Sequence, residues 1–119
     1  MNLEDFHTQL TVQPDTIEFD SVMALIDAHY DYQAASFSNG IGEQQVHNEA
    51  GTNEGSCRLF AFAADQQLTK EQTLHCFGRY YREDVLGKPD GKDHANIRAF
   101  MVFGWEGIHF ESLPLSRRS

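Results

Sequence analysis

The sequence predicts an α+β fold, with about five helices packed on a small two- or three-stranded mixed or antiparallel sheet. Apolar residues recur at helical spacing in several segments, and the segment that begins at Cys57 is apolar on nearly every side. The segments suited to strands are separated by several helices, which favours a small sheet against a helical layer. A chain of 119 residues is large enough for one core, so we treat residues 1–119 as a single domain.

The first three predicted helices each carry apolar side chains on one shared face. These residues are Leu3, Phe6 and Leu10 in the first helix, which ends before Pro14; Phe19, Val22, Met23, Ile26 and Tyr30 in the second; and Cys57, Phe60, Ala61, Ala64 and Leu68 in the third. The third helix also has Leu59, Phe62 and Ala63 on its other sides. We therefore expect it to be the buried centre of the fold.

Residues typical of helix starts and ends predict two further helices. Thr69 and Gln72 form a capping box, and the helix that they open places Leu74, Phe77, Gly78, Tyr81 and Val85 on one face. Gly87 and Pro89 end this helix. Asp93 is the predicted cap of a last helix, which Gly104 ends.

The strand signals lie at 32–38 and 105–112, where residues suited to strands alternate or cluster. Asn39 and Gly40 are typical of a two-residue hairpin turn, so we expect a partner strand through Val46. The second segment, 105–112, is predicted to close the sheet.

Charge is distributed unevenly along the chain. Residues 1–54 contain ten carboxylates and neither Lys nor Arg, whereas residues 55–119 contain eight carboxylates and nine basic residues. The resulting charges of −10 and +1 give the net charge of −9. Such a chain lacks the basic surface that nucleic acid or an anionic membrane requires, so neither is an expected partner. The acidic half is either a solvated surface or a face that recruits a basic partner.

Three blocks of the chain resemble the HopJ type III effector family. They are Ile26-Asp-Ala-His-Tyr-Asp-Tyr32, the segment 48–58, and 77–86 continued through 89–98 to 104–107. The resemblance implies a bacterial protein related to effectors that type III secretion delivers into plant cells. It implies no catalytic residues.

The first residues differ from those typical of a type III secretion leader. Such leaders are rich in Ser and poor in acidic residues, whereas this chain has Glu4 and Asp5 and no Ser before Ser21. No long apolar run predicts a membrane span, and no secretory signal is visible. We predict a bacterial cytoplasmic location, with type III secretion as the alternative, and reduced Cys57 and Cys76.

The loop before the third helix supplies the first group of candidate binding residues: Asn48, Glu49, Asn53, Ser56 and Cys57. Asn53 or Ser56 is expected to cap the helix through its side chain. At a helix start Cys57 has the position of a reactive thiolate, with His47 or His94 as base and Asn48 or Asn96 as orienting residue. The same Cys57 also lies on the apolar face, and we favour this structural interpretation.

The second group of candidate binding residues lies in the last third of the chain: Tyr80, His94, Asn96, Arg98 and Trp105. Aromatic and arginine side chains of this kind are frequent in protein-binding hot spots. If the protein binds a small ligand, one pocket is expected to bring together seven polar residues: Asn48, Glu49, Asn53, Ser56, His94, Asn96 and Arg98. The six histidines have no metal-binding spacing, so no metal and no cofactor is predicted.

Two functions are consistent with these features of the sequence. The first is a small acidic protein that acts by contact with another protein, of host or bacterial origin. The alternative is a cytosolic protein that binds a small ligand, or a small enzyme, using the 48–57 loop and residues 94–98. The sequence contains no recognisable catalytic signature, which favours a non-enzymatic role, although it leaves the question of catalysis open.

Overall fold

The computed structural model describes residues 2–118 and shows an α+β architecture, as predicted. Five α-helices and one π-helical segment form the helical part. They are α1 Leu3–Val12, α2 Phe19–His29, α3 Glu54–Asp65, α4 Lys70–His75, the π-helix Tyr80–Val85 and α5 Ala95–Phe103.

Two small sheets, both antiparallel, complete the fold. Their strands are β1 Tyr30–Tyr32, β2 Phe37–Asn39, β3 Val46–Asn48, β4 His109–Phe110 and β5 Leu115–Arg117. β1 pairs with β5, with Asp31 opposite Ser116. The three-stranded sheet has the order β3-β2-β4, with Ser38 opposite both His47 and His109.

Helix α3 is the centre of the core, as its sequence predicts. Phe60 and Phe62 are fully buried, and the ring of Phe60 contacts those of Phe37, Phe77 and Phe100. A helix that is apolar on most of its sides must be largely surrounded by other elements. Here those elements include β2 and α5, so α3 connects the sheet to the helical layer.

The turn after β2 is longer than the predicted two-residue hairpin. Asn39 pairs with Val46, so residues 40–45 form the connection, which includes a 3₁₀ turn at Gly42–Gln44. Gly40 does not close a tight turn because its N–H donates to the carbonyl of Gly107, 3.0 Å away. The predicted strand through Val46 is nevertheless present.

The helix predicted from the capping box is broken in the structure. The box itself is present at Thr69 and Gln72, but α4 ends at His75 and the chain turns at Gly78, where φ is +62°. A Cβ on Gly78 would lie 2.8 Å from the backbone nitrogen of Phe19. Residues 17–19 pack so closely against Gly78 that only glycine fits at this break. The helical spacing of apolar residues does not predict this contact.

The C-terminal region departs most from the prediction. Instead of one strand over 105–112, the chain forms a 3₁₀ turn at Gly104–Gly107 and then the two-residue strand β4. Strand β5 was not predicted, since it depends on pairing with the distant strand β1. Tyr30, predicted on the second helix, begins β1 for the same reason.

Candidate functional site

A cleft of about 370 Å³ lies where the first turns of α3 and α5 meet. Four of the predicted polar site residues line it: Asn53, Ser56, His94 and Asn96. The aromatic residues of the wall are Phe19, Phe77 and Tyr80. The remaining lining residues are Val46, Gly55, Ala95 and Ile97.

A buried network of asparagine side chains holds the two helix starts together behind the cleft. The side-chain amides of Asn48 and Asn96 exchange hydrogen bonds of 3.1 and 2.9 Å. Asn53 donates to the same Asn48 oxygen at 2.7 Å, and Asn39 donates to the carbonyl of Asn96 at 2.8 Å. The network connects β2, β3 and the starts of α3 and α5, because buried polar groups need such partners.

Both helix starts have the same unusual geometry. The residues preceding α3 and α5, Asn53 and His94, adopt left-handed conformations with φ of +48° and +52°, and neither helix has a side-chain cap. The predicted capping by Asn53 or Ser56 is therefore wrong, because the Asn53 amide is bonded to Asn48. The predicted Asp93 cap is wrong as well, since its carboxylate accepts from Arg98 at 2.7 Å.

His94 lies in the cleft wall, and its ring is fixed on two sides. Its Nε2 lies 3.0 Å from the Asp84 carboxylate, and its ring packs on Tyr80 with a centroid separation of 5.3 Å. Tyr80 in turn contacts the ring of Phe19 edge-on. Among the hydrogen bonds of residues 2–118, none joins Ser56 to His94, so the cleft contains no paired nucleophile and base.

Cys57 is a core residue in this structure. It is buried, and its Sγ lies 3.7 Å from the carbonyl oxygen of Ala35, to which the thiol donates. Burial raises the pKa of the Cys57 thiol, against the smaller effect of that hydrogen bond. The position at a helix start does not produce a thiolate here, because desolvation disfavours the charged form.

Three other predicted site residues lie outside the cleft lining. Glu49 is exposed on the loop that precedes α3. The guanidinium of Arg98 donates to Asp93 and to the carbonyl of Pro89. Trp105 packs on Phe100, and its indole N–H donates to the carbonyl of Leu68 at 3.0 Å.

The sequence does not predict that Phe19 and Phe77 line the cleft, nor that Asp84 is the partner of His94. Phe77 is a buried core residue, as predicted, and it also forms part of the cleft wall with Phe19 and the predicted site residue Tyr80. No local signal marks Asp84, since it meets His94 only because the chain turns back between the π-helix and α5. In residues 2–118 no group of three or more His, Cys, Asp and Glu side chains is arranged to hold a metal ion.

The fold and the cleft define a small α+β protein with a ligand-sized, partly aromatic site. The family described as HopJ type III effector protein matches residues 3–115, and the chain belongs to this family. The chain is also similar to a solved structure described as the crystal structure of unknown function protein VPA0580, with 49% identity and a TM-score of 0.93. That match covers 99% of this chain and 95% of the other. No curated protein matches the chain.

The family resemblance inferred from the sequence is thereby confirmed. Across residues 2–118, no helix has both the length and the apolar character needed to cross a membrane. Neither comparison supplies a mechanism, since the similar solved structure is itself described as a protein of unknown function.

Proposed function

We propose that this protein binds a small organic ligand in the cleft between the starts of α3 and α5. The observation that supports this is the meeting of Asn53, Ser56, His94 and Asn96, from distant parts of the chain, around one cavity. Its volume of about 370 Å³ lies in the range of small-molecule sites, which run from roughly 300 to 1,000 Å³.

The lining of the cleft favours a ligand with two chemical characters. Phe19 and Tyr80 present aromatic surface to an apolar or planar group. His94, Asn53 and Ser56 line the same cleft and offer hydrogen bonds to a polar group. This combination of an apolar wall and a few fixed polar groups is typical of small-molecule sites. Catalysis is not part of the proposal, because His94 has no hydrogen-bonded nucleophile among the described residues.

A ligand screen by thermal shift tests this proposal. A ligand at about one hundred times its Kd adds about 2.7 kcal/mol to the free energy of unfolding. For a domain of this size that corresponds to a rise in Tm of several degrees. The screen should include aromatic and heteroaromatic compounds that carry a hydrogen-bonding group, together with metabolites, nucleotides, sugars and metal ions.

Variants of cleft residues then test whether a compound that raises Tm binds in the cleft. His94→Ala and Tyr80→Ala should abolish the shift, because they remove a polar partner and an aromatic wall. Glu49→Ala is the control, since Glu49 is exposed on the neighbouring loop and does not line the cleft. A hit that survives both cleft variants, or a screen in which no compound shifts Tm, would contradict the proposal.

We further propose that the protein acts in the bacterial cytoplasm. Both Cys57 and Cys76 are unpaired thiols, which suits a reducing compartment. The family description favours type III export instead. A translocation reporter fused to the chain distinguishes the two locations, and a secretion-dependent signal in recipient cells would contradict the cytoplasmic proposal.

Contact with a protein partner, of host or bacterial origin, is the second function that we propose. Its support is the exposure of large apolar side chains outside the cleft, where Leu86 is 48% and Val102 is 67% exposed. Apolar groups of this size at the surface are typical of interaction sites when they form a patch.

A further inference from the structure

The outer face of α5 carries two depressions that share two residues. One depression, of about 210 Å³, is lined by Val85, Leu86, Pro89, Arg98, Met101 and Val102. The other, of about 640 Å³, is lined by Gln44, Val46, Lys92, Ala95, Arg98, Ala99, Val102 and Phe103. Because Arg98 and Val102 belong to both, the depressions form one surface, here called the α5 face.

The α5 face is basic in a strongly acidic protein. Among the described residues that line the two depressions, the charged side chains are Lys92 and Arg98, and no carboxylate contributes. Lys88 lies between Leu86 and Pro89 in the chain, and Lys70 donates to the carbonyl of Met101 at 2.9 Å. Lys92 therefore lines the face, Lys70 contacts the end of α5, and Lys88 precedes the lining residue Pro89, although the net charge is −9.

Neighbouring carboxylates offset part of this positive charge. Asp93 is bound to Arg98 through a contact of 2.7 Å, so that pair is neutral overall and the remaining positive charge of the face comes from the lysines. Asp90 is exposed beside Pro89. Among the described residues, Lys88 and Lys92 form no ion pair, and both are exposed to solvent.

We propose that the α5 face binds an acidic amphipathic helix of a partner protein. The two depressions beside α5 can accommodate apolar side chains that a partner helix presents at regular spacing, as in other helix-in-groove complexes. Carboxylates on its flanks would meet Lys88 and Lys92, which supplies the charge complementarity. The proposal rests on protein interaction, the second function above, and is independent of ligand binding in the cleft.

A designed peptide tests the proposal directly. The probe is a fluorescein-labelled peptide of about four helical turns, with Leu at i, i+3, i+4 and i+7 spacing and Glu at its other positions. The comparison peptide replaces every Glu by Lys. Fluorescence anisotropy at low salt should show binding of the Glu peptide, with the Lys peptide at least roughly tenfold weaker because the lysines repel it.

Two variants of the protein locate the binding. Val102→Asp, and Lys88→Glu combined with Lys92→Glu, should each weaken the Glu peptide by roughly tenfold or more. Val12→Asp is the matched control, since Val12 is 70% exposed on α1 and lies outside the α5 face. Amide NMR signals of α5 should shift on binding while those of Asn53 and Ser56 stay in place, which separates this result from any event in the cleft.

Four outcomes would overturn the proposal. The first is equal binding of the Glu and Lys peptides, the second is no binding of the Glu peptide at about 1 mM, and the third is equal effects of Val102→Asp and Val12→Asp. The fourth is another occupant of the face. Self-association in sedimentation velocity, or pelleting with anionic phospholipid vesicles, would show this if either is lost in Val102→Asp.

Discussion

Asn48 and Asn96 face each other across the core and exchange hydrogen bonds through their side-chain amides, at 3.1 and 2.9 Å. Asn48 ends β3 and Asn96 lies in the first turn of α5. This reciprocal pair fixes one side of the cleft to the sheet. Asn53, which also bonds to Asn48, fixes the other side.

Asn48→Ala is expected to lower the free energy of unfolding by about 1 to 3 kcal/mol. Asn48 is 1% exposed, and its loss leaves the buried side-chain NH2 group of Asn96 without its acceptor. The Asn96 oxygen still accepts from Asn39, and the exposed Asn53 can bond to water instead. Urea denaturation measures the change. The exposed Gln33→Ala serves as control, and a loss no larger in Asn48→Ala than in that control would contradict the role of the network.

Gly78→Ala is expected to destabilise the protein more than Gly42→Ala. Both glycines have similar positive φ values, +62° and +69°, so both variants bear the cost of about 1–2 kcal/mol for a left-handed Ala. A Cβ at Gly78 would also lie 2.8 Å from the Phe19 nitrogen, whereas nothing lies within 4 Å of one at Gly42. Thermal unfolding of the two variants isolates the steric contribution, and equal Tm values would contradict it.

The thiols of Cys57 and Cys76 are expected to react slowly with Ellman's reagent in the native protein. Both side chains are buried, and burial raises the pKa of each thiol, so little thiolate forms at pH 8. In urea both should react at the rate of free cysteine. Native labelling of Cys57 as fast as that of free cysteine would restore the reactive-thiol hypothesis.

Stability is expected to fall at alkaline pH because of Cys76. Burial raises the pKa of Cys76 from 9.0 to about 12, so above pH 9 the folded state retains a proton that the unfolded state has lost. The contribution of Cys76 to the free energy of unfolding is therefore fully present below pH 9 and is lost as the pH rises towards 12. At pH 10 the loss from this group is about 1 kcal/mol.

Cys76→Ala is the matched variant for the alkaline effect. Denaturant unfolding at pH 8 and pH 10 should show a smaller pH-dependent change in the variant than in the parent, by about 1 kcal/mol. The packing lost in Cys76→Ala is the same at both pH values, so it cancels when the free energies of unfolding at pH 8 and pH 10 are subtracted. An identical change in both proteins would assign the alkaline loss to other groups, such as Tyr32, whose pKa burial raises to about 12.

Local signals in the sequence were sufficient for much of the fold. The Thr69–Gln72 capping box and the buried α3 were both predicted, because capping and helical periodicity depend on residues within one or two turns. The break at Gly78 was not predicted. A glycine in an apolar helical pattern is compatible with a continuous helix, and only the approach of residues 17–19 shows why the chain turns there.

The candidate site was predictable in part. Polar residues in the 48–56 loop and at 94–96 were singled out by type, and the structure places four of them around one cleft. That these residues bind a ligand stays a prediction. The internal bonding of Arg98 to Asp93 and of Trp105 to Leu68 could not be foreseen, since a sequence does not show which polar groups already have partners.

The α+β class and the family can be derived from the sequence alone, as can the central helix and the acidic character of residues 1–54, since each follows from composition, periodicity or long matching segments. The position of the cleft, the contact of Asp84 with His94 and the pairing of β5 with β1 become visible in the folded structure. The same holds for the positions of Lys92 and Lys70 beside α5. The difference lies in the distance along the chain over which each interaction acts. Helix formation and capping are settled between neighbours in the chain, whereas a cleft or a basic face requires contacts between segments that are brought together only by burial of the shared core.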